Sequence, residues 1–109
     1  FAERAIDMAP HNIYARNALA GALRALGRLS EAELNARQSL KIDASPRNTP
    51  ARVVLASILA DQGSPEALNE AYALCAGALD HQPENQAAAR TLERVQLLAG
   101  AADVALNPG

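Results

Sequence analysis

The stretch PRNTPARVVLASILADQG, residues 46–63, holds a Pro-x-Asn tripeptide, a Leu seven positions after the Asn and a Gly fifteen positions after it. The same frame lies upstream as PHNIYARNALAGALRALG (10–27) and downstream as PENQAAARTLERVQLLAG (83–100), at spacings of 36 and 37 residues. Pro10, Pro46 and Pro83 thus share one period with Asn12, Asn48 and Asn85, with Leu19, Leu55 and Leu92, and with Gly27, Gly63 and Gly100. A fixed period of about 20 to 50 residues marks a stacked-repeat architecture, in which no unit can bury its apolar face alone.

Each period has the layout of two antiparallel helices. Gly accepts the positive φ of a helix C-terminus and Pro cannot continue a helix interior, so Gly marks the turn and Pro the end of the pair. Working outward, Asn12 precedes a helix over about 13–26 whose Leu19, Leu23 and Leu26 form one stripe. Ser30 and Glu33 fit a capping box that opens a second helix with Ala32, Ala36 and Leu40 on one face. Thr49 as cap and Pro50 at the first position open the next helix, with Leu55, Ala56 and Leu59 inward. After Gly63, Ser64 and Pro65 repeat that signature and start a helix reaching about His81 along Ala71, Cys75, Ala78 and Leu79. A last helix from Asn85 to about Ala99 carries Ala88, Ala89, Leu92, Val95 and Ala99, and the tail from Gly100 begins another helix that frays. The opening residues FAERAIDMAP read as the closing half of a helix whose start is upstream, so we expect a fragment of a longer array. The expected units are 1–12 (end of a preceding repeat), 13–48, 49–85 and 86–109 (terminal capping helix or partial repeat).

Composition supports helices packed through small residues. The 109 residues include 26 Ala and 15 Leu, which favour helix, and Ala20, Ala32, Ala36, Ala56, Ala71 and Ala78 fall where helices cross. Ten basic against twelve acidic residues leave a net charge of -2, which gives no overall attraction to phosphate; we expect no nucleic-acid partner. No run reaches the roughly 18 apolar residues of a spanning helix. A single cysteine cannot make a disulfide framework or a zinc site. It suits a reducing cytoplasm, and disulfide-free proteins also occur in the periplasm. With Lys41 the only lysine, the Ala- and Arg-rich composition hints at a GC-rich bacterial genome.

Leu19-Ala20, Gly27, Glu31-Ala32 and Leu40, then Leu55-Ala56, Gly63, Glu70-Ala71, Ala78-Leu79 and Pro83, resemble the tetratricopeptide repeat, and Ala5-Ile6-Asp7-Met8-Ala9-Pro10 resembles the end of a preceding copy. The resemblance covers essentially the whole chain. It implies an all-α, right-handed superhelical stack of antiparallel helix pairs, an α-solenoid, without catalysis or cofactor. The sequence departs from the family's 34-residue spacing by two residues near Ala44-Ser45 and by three between Gly63 and Ala71, and Glu93 replaces the small residue of the third copy.

The resemblance further implies a concave groove, lined by first helices, that holds a peptide or helix of a partner protein. The matching positions are Tyr14, Asn17, Gly21 and Arg24, then Val53, Ser57, Ala60 and Asp61, and finally Ala87, Arg90 and Arg94. The three arginines read either as holders of a carboxylate or as a solvated face, with Asn17 offering amide recognition. One branch of the family clamps the C-terminal carboxylate of chaperone tails. Here Asn17, Gly21, Val54, Ala87 and Thr91 stand at those places and lack the required charge, which disfavours such a receptor.

Residues 1–48 sum to +2, 49–85 to -4 and the rest to zero, so Asp61, Glu66, Glu70, Asp80 and Glu84 make the middle repeat acidic, as a solvated convex face would be. Cys75, His11 and His81 are the only candidates for a nucleophile and base, and Cys75 falls on a buried stripe while the histidines sit two repeats apart. Two further readings stand beside the interaction scaffold: an accessory domain of a larger enzyme such as a transferase or peptidase, and a self-association module that covers the half-repeat at Phe1 with a second copy.

Overall fold

The computed structural model of the chain describes residues 12–107. The end of a preceding repeat at 1–11, with His11 and Phe1, lies outside them. Among the described residues there are five helices and no strand: α1 (Ile13–Ala25), α2 (Leu29–Ile42), α3 (Thr49–Gln62), α4 (Pro65–His81) and α5 (Gln86–Ala101). Helices α1 and α2 form one hairpin and α3 and α4 a second, with α5 packed against both α4 and α3. First helices neighbour one another, α1 beside α3 and α3 beside α5, whereas the backbones of α2 and α4 stay apart. The result is a layer of three helices backed by a layer of two, 44 Å in its longest dimension.

The turns inside the hairpins follow the glycine columns. Gly27 and Gly63 have φ of +78° and +76°, and a Cβ at Gly27 would meet nothing within 4 Å, so the backbone angle rather than space requires glycine. The end of α1 is a Schellman motif, in which Arg28 N–H donates to Leu23 O at 2.9 Å and Gly27 N–H to Arg24 O at 2.9 Å.

Gly100 departs from its column. It lies inside α5, which runs to Ala101, and the left-handed residue is Asp103 with φ of +56°. The same Schellman pair recurs around it, Val104 N–H to Ala99 O at 2.8 Å and Asp103 N–H to Gly100 O at 3.3 Å. The described residues of the tail, up to Asn107, then start no helix. Val104 and Leu106 pack on the core, and Asn107 N–H donates to Asn69 Oδ1 at 2.8 Å, which ties the tail to α4. An aspartate here combines an unfavourable backbone region with a carboxylate at the negative end of a helix. Asp103→Gly is therefore expected to stabilise the chain by about 0.5 kcal/mol, read as a higher urea midpoint, and Asp103→Val to lower it by about 1 kcal/mol.

Helix starts agree with the sequence in part. Asn12 accepts from Tyr14 N–H (2.9 Å) and Ala15 N–H (3.2 Å), Asn85 from Ala88 N–H (2.9 Å), and Ser64 Oγ from Ala67 N–H (3.1 Å). The capping box at Ser30 does not form. Helix α2 already begins at Leu29, and Glu33 accepts from Arg37 Nε (2.8 Å) and Gln62 Nε2 (2.6 Å) instead. Thr49 is the first residue of α3 rather than its cap; its hydroxyl donates to Pro46 O at 3.1 Å. Helix α4 has 17 residues against the 14 of α2, where the sequence places three extra residues.

One core runs through both hairpins into α5. Leu19, Ala20, Leu23, Ala32, Ala36, Leu55, Ala56, Ala71, Cys75, Val95 and Ala99 are all buried in it. Alanines on crossing faces let the helix backbones approach closely, and the six expected crossing alanines are all shut off from water. Leu26, in contrast, is 69% exposed, because α1 ends before the stripe reaches it, and Ala89 is exposed because none of the described elements covers that side of α5.

Candidate functional site

Equivalent faces of α1, α3 and α5 enclose an open cavity of about 530 Å³ lined by Asn17, Ala18, Gly21, Arg24, Pro50, Val53, Val54, Ser57 and Ala87. The wall follows from helix periodicity. Asn17, Gly21 and Arg24 recur at four and three residues on α1, as Pro50, Val53 or Val54 and Ser57 do on α3. Small side chains at these positions leave the space between helices unfilled. Gly21 is the clearest case, since a Cβ there would meet nothing within 4 Å.

Of the expected groove residues, Asn17, Gly21, Arg24, Val53, Ser57 and Ala87 come together on this wall. Ala60 does not; it is 3% exposed and belongs to the core, because it sits on the inner side of α3. Tyr14 stands at the edge, 78% exposed. Arg90 also lies off the wall, exposed and without a hydrogen bond or ion pair among the described residues. Ala18, Pro50 and Val54 complete the wall, one position from or one turn before residues the pattern does identify.

The arginines are held together by Asp61. Arg24 donates Nε to Asp61 Oδ2 at 2.7 Å and Nη2 to Oδ1 at 3.2 Å, and Arg94 Nη2 lies 2.7 Å from the same Oδ1. One carboxylate thus joins the three first helices. Burial pushes the Asp61 carboxyl up, but hydrogen bonds from Arg24 and Arg94, with their charges, outweigh it and hold the group below the usual carboxylate range. Asp61 is therefore ionised at neutral pH, and two cations sharing it leave the cluster at +1. The sequence left these arginines either as holders of a carboxylate or as a solvated face; in the structure Arg24 and Arg94 are both paired with Asp61.

At the other end of the cavity Asn17 Nδ2 donates to Asn48 Oδ1 at 3.2 Å. The orientation of both amides is fixed from below. Asn48 Nδ2 faces Ser39 O (3.2 Å), Ser39 Oγ (3.1 Å) and Asp43 O (2.9 Å), and the two carbonyl oxygens can be met only by the NH2 end. Asn17 Oδ1 is left shut off from solvent without a donor among the described residues.

On the other layer, Arg37 bridges Glu33 and Glu70 at 2.7–2.8 Å, joining α2 to α4. Two of the five acidic residues of the middle repeat, Asp61 and Glu70, are thereby engaged by arginine. Cys75 is buried, and burial pushes its thiol up to about 11, so it is protonated at neutral pH. Among the described residues no three His, Cys, Asp or Glu side chains gather as a metal site, and no helix is long and apolar enough to cross a membrane.

Comparison with protein-family models, with curated proteins and with solved structures gives no match.

Proposed function

We propose that the chain is a non-catalytic interaction module whose first-helix layer holds a short peptide of a partner protein. The cavity shared by α1, α3 and α5 carries this reading: it lies within the roughly 300–1,000 Å³ range of ligand pockets, and it is apolar with a few polar groups at its ends. The helix pairs suit a tetratricopeptide-like, right-handed superhelical array. First helices that neighbour one another while second helices stand apart favour curvature with α1, α3 and α5 on the concave side.

Amide chemical shifts of the isotope-labelled chain test it. On titration with pools of short synthetic peptides, the expected shifts fall on Gly21, Val53, Ser57 and Ala87. Shifts confined to α2 and α4, or none with any pool, overturn the reading.

A further inference from the structure

The two helix layers carry opposite charge. In the first-helix layer Arg16, Arg24, Arg52, Arg90 and Arg94 outweigh Asp61 and Glu93, leaving +3; in α2 and α4 Glu31, Glu33, Glu66, Glu70 and Asp80 outweigh Arg37 and Lys41, leaving -3. Sums taken along the chain hide this, because the layers alternate every helix. Arg52 is consumed by the loop carbonyls of Ala44, Ser45 and Asn48, and Arg16 donates to Asn35. Of the positive charge that remains, Arg24 stands on the cavity wall, Arg94 is tied to it through Asp61, and Arg90 lies off the wall on α5. Arg90 lies three positions after Ala87 and four before Arg94, on their face of α5.

Resting on the proposed groove, we infer that its occupant is an extended peptide with small apolar residues and one internal Asp or Glu side chain, held by Arg24, Arg94 and Arg90. The Asp61 pairing leaves donors for it: Nη1 on Arg24, and Nε and Nη1 on Arg94. Arg90 adds a guanidinium with no partner among the described residues. Asp61 acts as a built-in carboxylate that pre-aligns two arginines while leaving the site positive. The arginine end is open, with Arg24 and Arg94 side chains 36% and 42% exposed, so a chain can continue past it and the carboxylate belongs to a side chain. Asn17 and Arg24 are seven residues apart on α1, about 10 Å along the axis, which is spanned by about three residues of extended chain. Gly21, Val53 and Ala87 along that span leave room for Ala, Ser or Val side chains and for none much larger.

The test uses acetylated, amidated fluorescent hexapeptides of Ala, Ser and Val with a single Glu or Asp at each position in turn, and Gln or Asn counterparts, titrated by anisotropy against the 109-residue chain. The acidic peptides are expected to bind at least about tenfold more tightly than their amides, with the advantage shrinking at high salt. Arg90→Gln, which breaks no contact within the described residues, is expected to weaken the acidic peptides about fivefold and leave the neutral ones unchanged. Asp61→Asn removes the competing carboxylate and is expected to tighten them severalfold, whereas a purely structural role for the cluster would weaken them. Equal binding of acidic and neutral peptides overturns the acidic class and leaves the groove reading standing. No binding by any peptide overturns both, and tighter binding of a single-stranded oligonucleotide than of any peptide replaces the acidic peptide with nucleic acid.

Discussion

Asn48→Ala is expected to lower the unfolding free energy by about 3 kcal/mol, while the same change at Asn85, in the same column of the repeat, lowers it by about 1 kcal/mol. The difference follows from where each amide goes. Asn85 caps α5 through one hydrogen bond to Ala88 N–H, in a half-buried setting where water can replace it. Asn48 is 1% exposed, and its side chain turns away from the start of α3 into the junction between hairpins. There it joins the end of α2, through Ser39 and Asp43, to α1, through Asn17. Truncation leaves the Ser39 hydroxyl, the Asp43 carbonyl and the Asn17 amide facing a void, and unmet buried groups cost about 1–3 kcal/mol each before relaxation. Asn48→Asp is expected to be worse at pH 7, since a carboxylate would face the carbonyl oxygens of Ser39 and Asp43. Its folded-state pKa would be raised, so the damage should ease as pH falls through that pKa. Chemical denaturation of the three variants at pH 7 and pH 5 checks this; equal losses at Asn48 and Asn85 would reject the internal tie.

This contrast shows how far the sequence could be read. The Asn column announces where first helices begin, and all three asparagines do precede one. Its chemistry is not uniform, because Pro50 removes one N–H that needs capping in α3 and the neighbouring repeat offers Asn48 a better set of acceptors. The glycine column fails once for a similar reason. Gly27 and Gly63 each turn the chain into a second helix, but among the described residues no second helix follows Gly100, and α5 continues past it and closes at Asp103. Ser30 and Glu33 have the spacing of a cap, yet Arg37 and Gln62 claim the glutamate from one turn and one repeat away. The expected groove positions came from the tetratricopeptide resemblance, and six of them line one cavity. The Arg24–Asp61–Arg94 cluster was not legible, because its members are 37 and 33 residues apart and only the stacking of repeats joins them. The sequence does carry a partial signal, the opposite charges of Arg24 and Asp61 near the ends of α1 and α3.

Gly21→Leu is expected to abolish peptide binding, by about a hundredfold or more, while raising the stability of the chain. Ordinarily a glycine replaced by a large residue threatens the fold, but here each term favours the variant. Gly21 lies within α1, not in the left-handed region, so a Cβ costs nothing in backbone strain, and removing a mid-helix glycine contributes about 0.8 kcal/mol through helix propensity. The leucine side chain points into the cavity between Asn17 and Arg24, where it covers apolar wall from Val53, Val54 and Ala87. Burying part of a leucine there contributes on the order of a further 1 kcal/mol. The volume it takes is the volume the ligand needs, midway along the span between the amide of Asn17 and the arginines. Stability and binding therefore move in opposite directions, which no loss of folding can imitate. Gly21→Ala is the graded control: about the same gain in helix propensity with only a methyl group in the groove, so a gain in melting temperature with a smaller loss of affinity. A leucine variant that melts higher and still binds its peptide would put the ligand on some other face of the molecule. A leucine variant that melts lower would mean that the space beside Gly21 is needed for packing rather than for a partner.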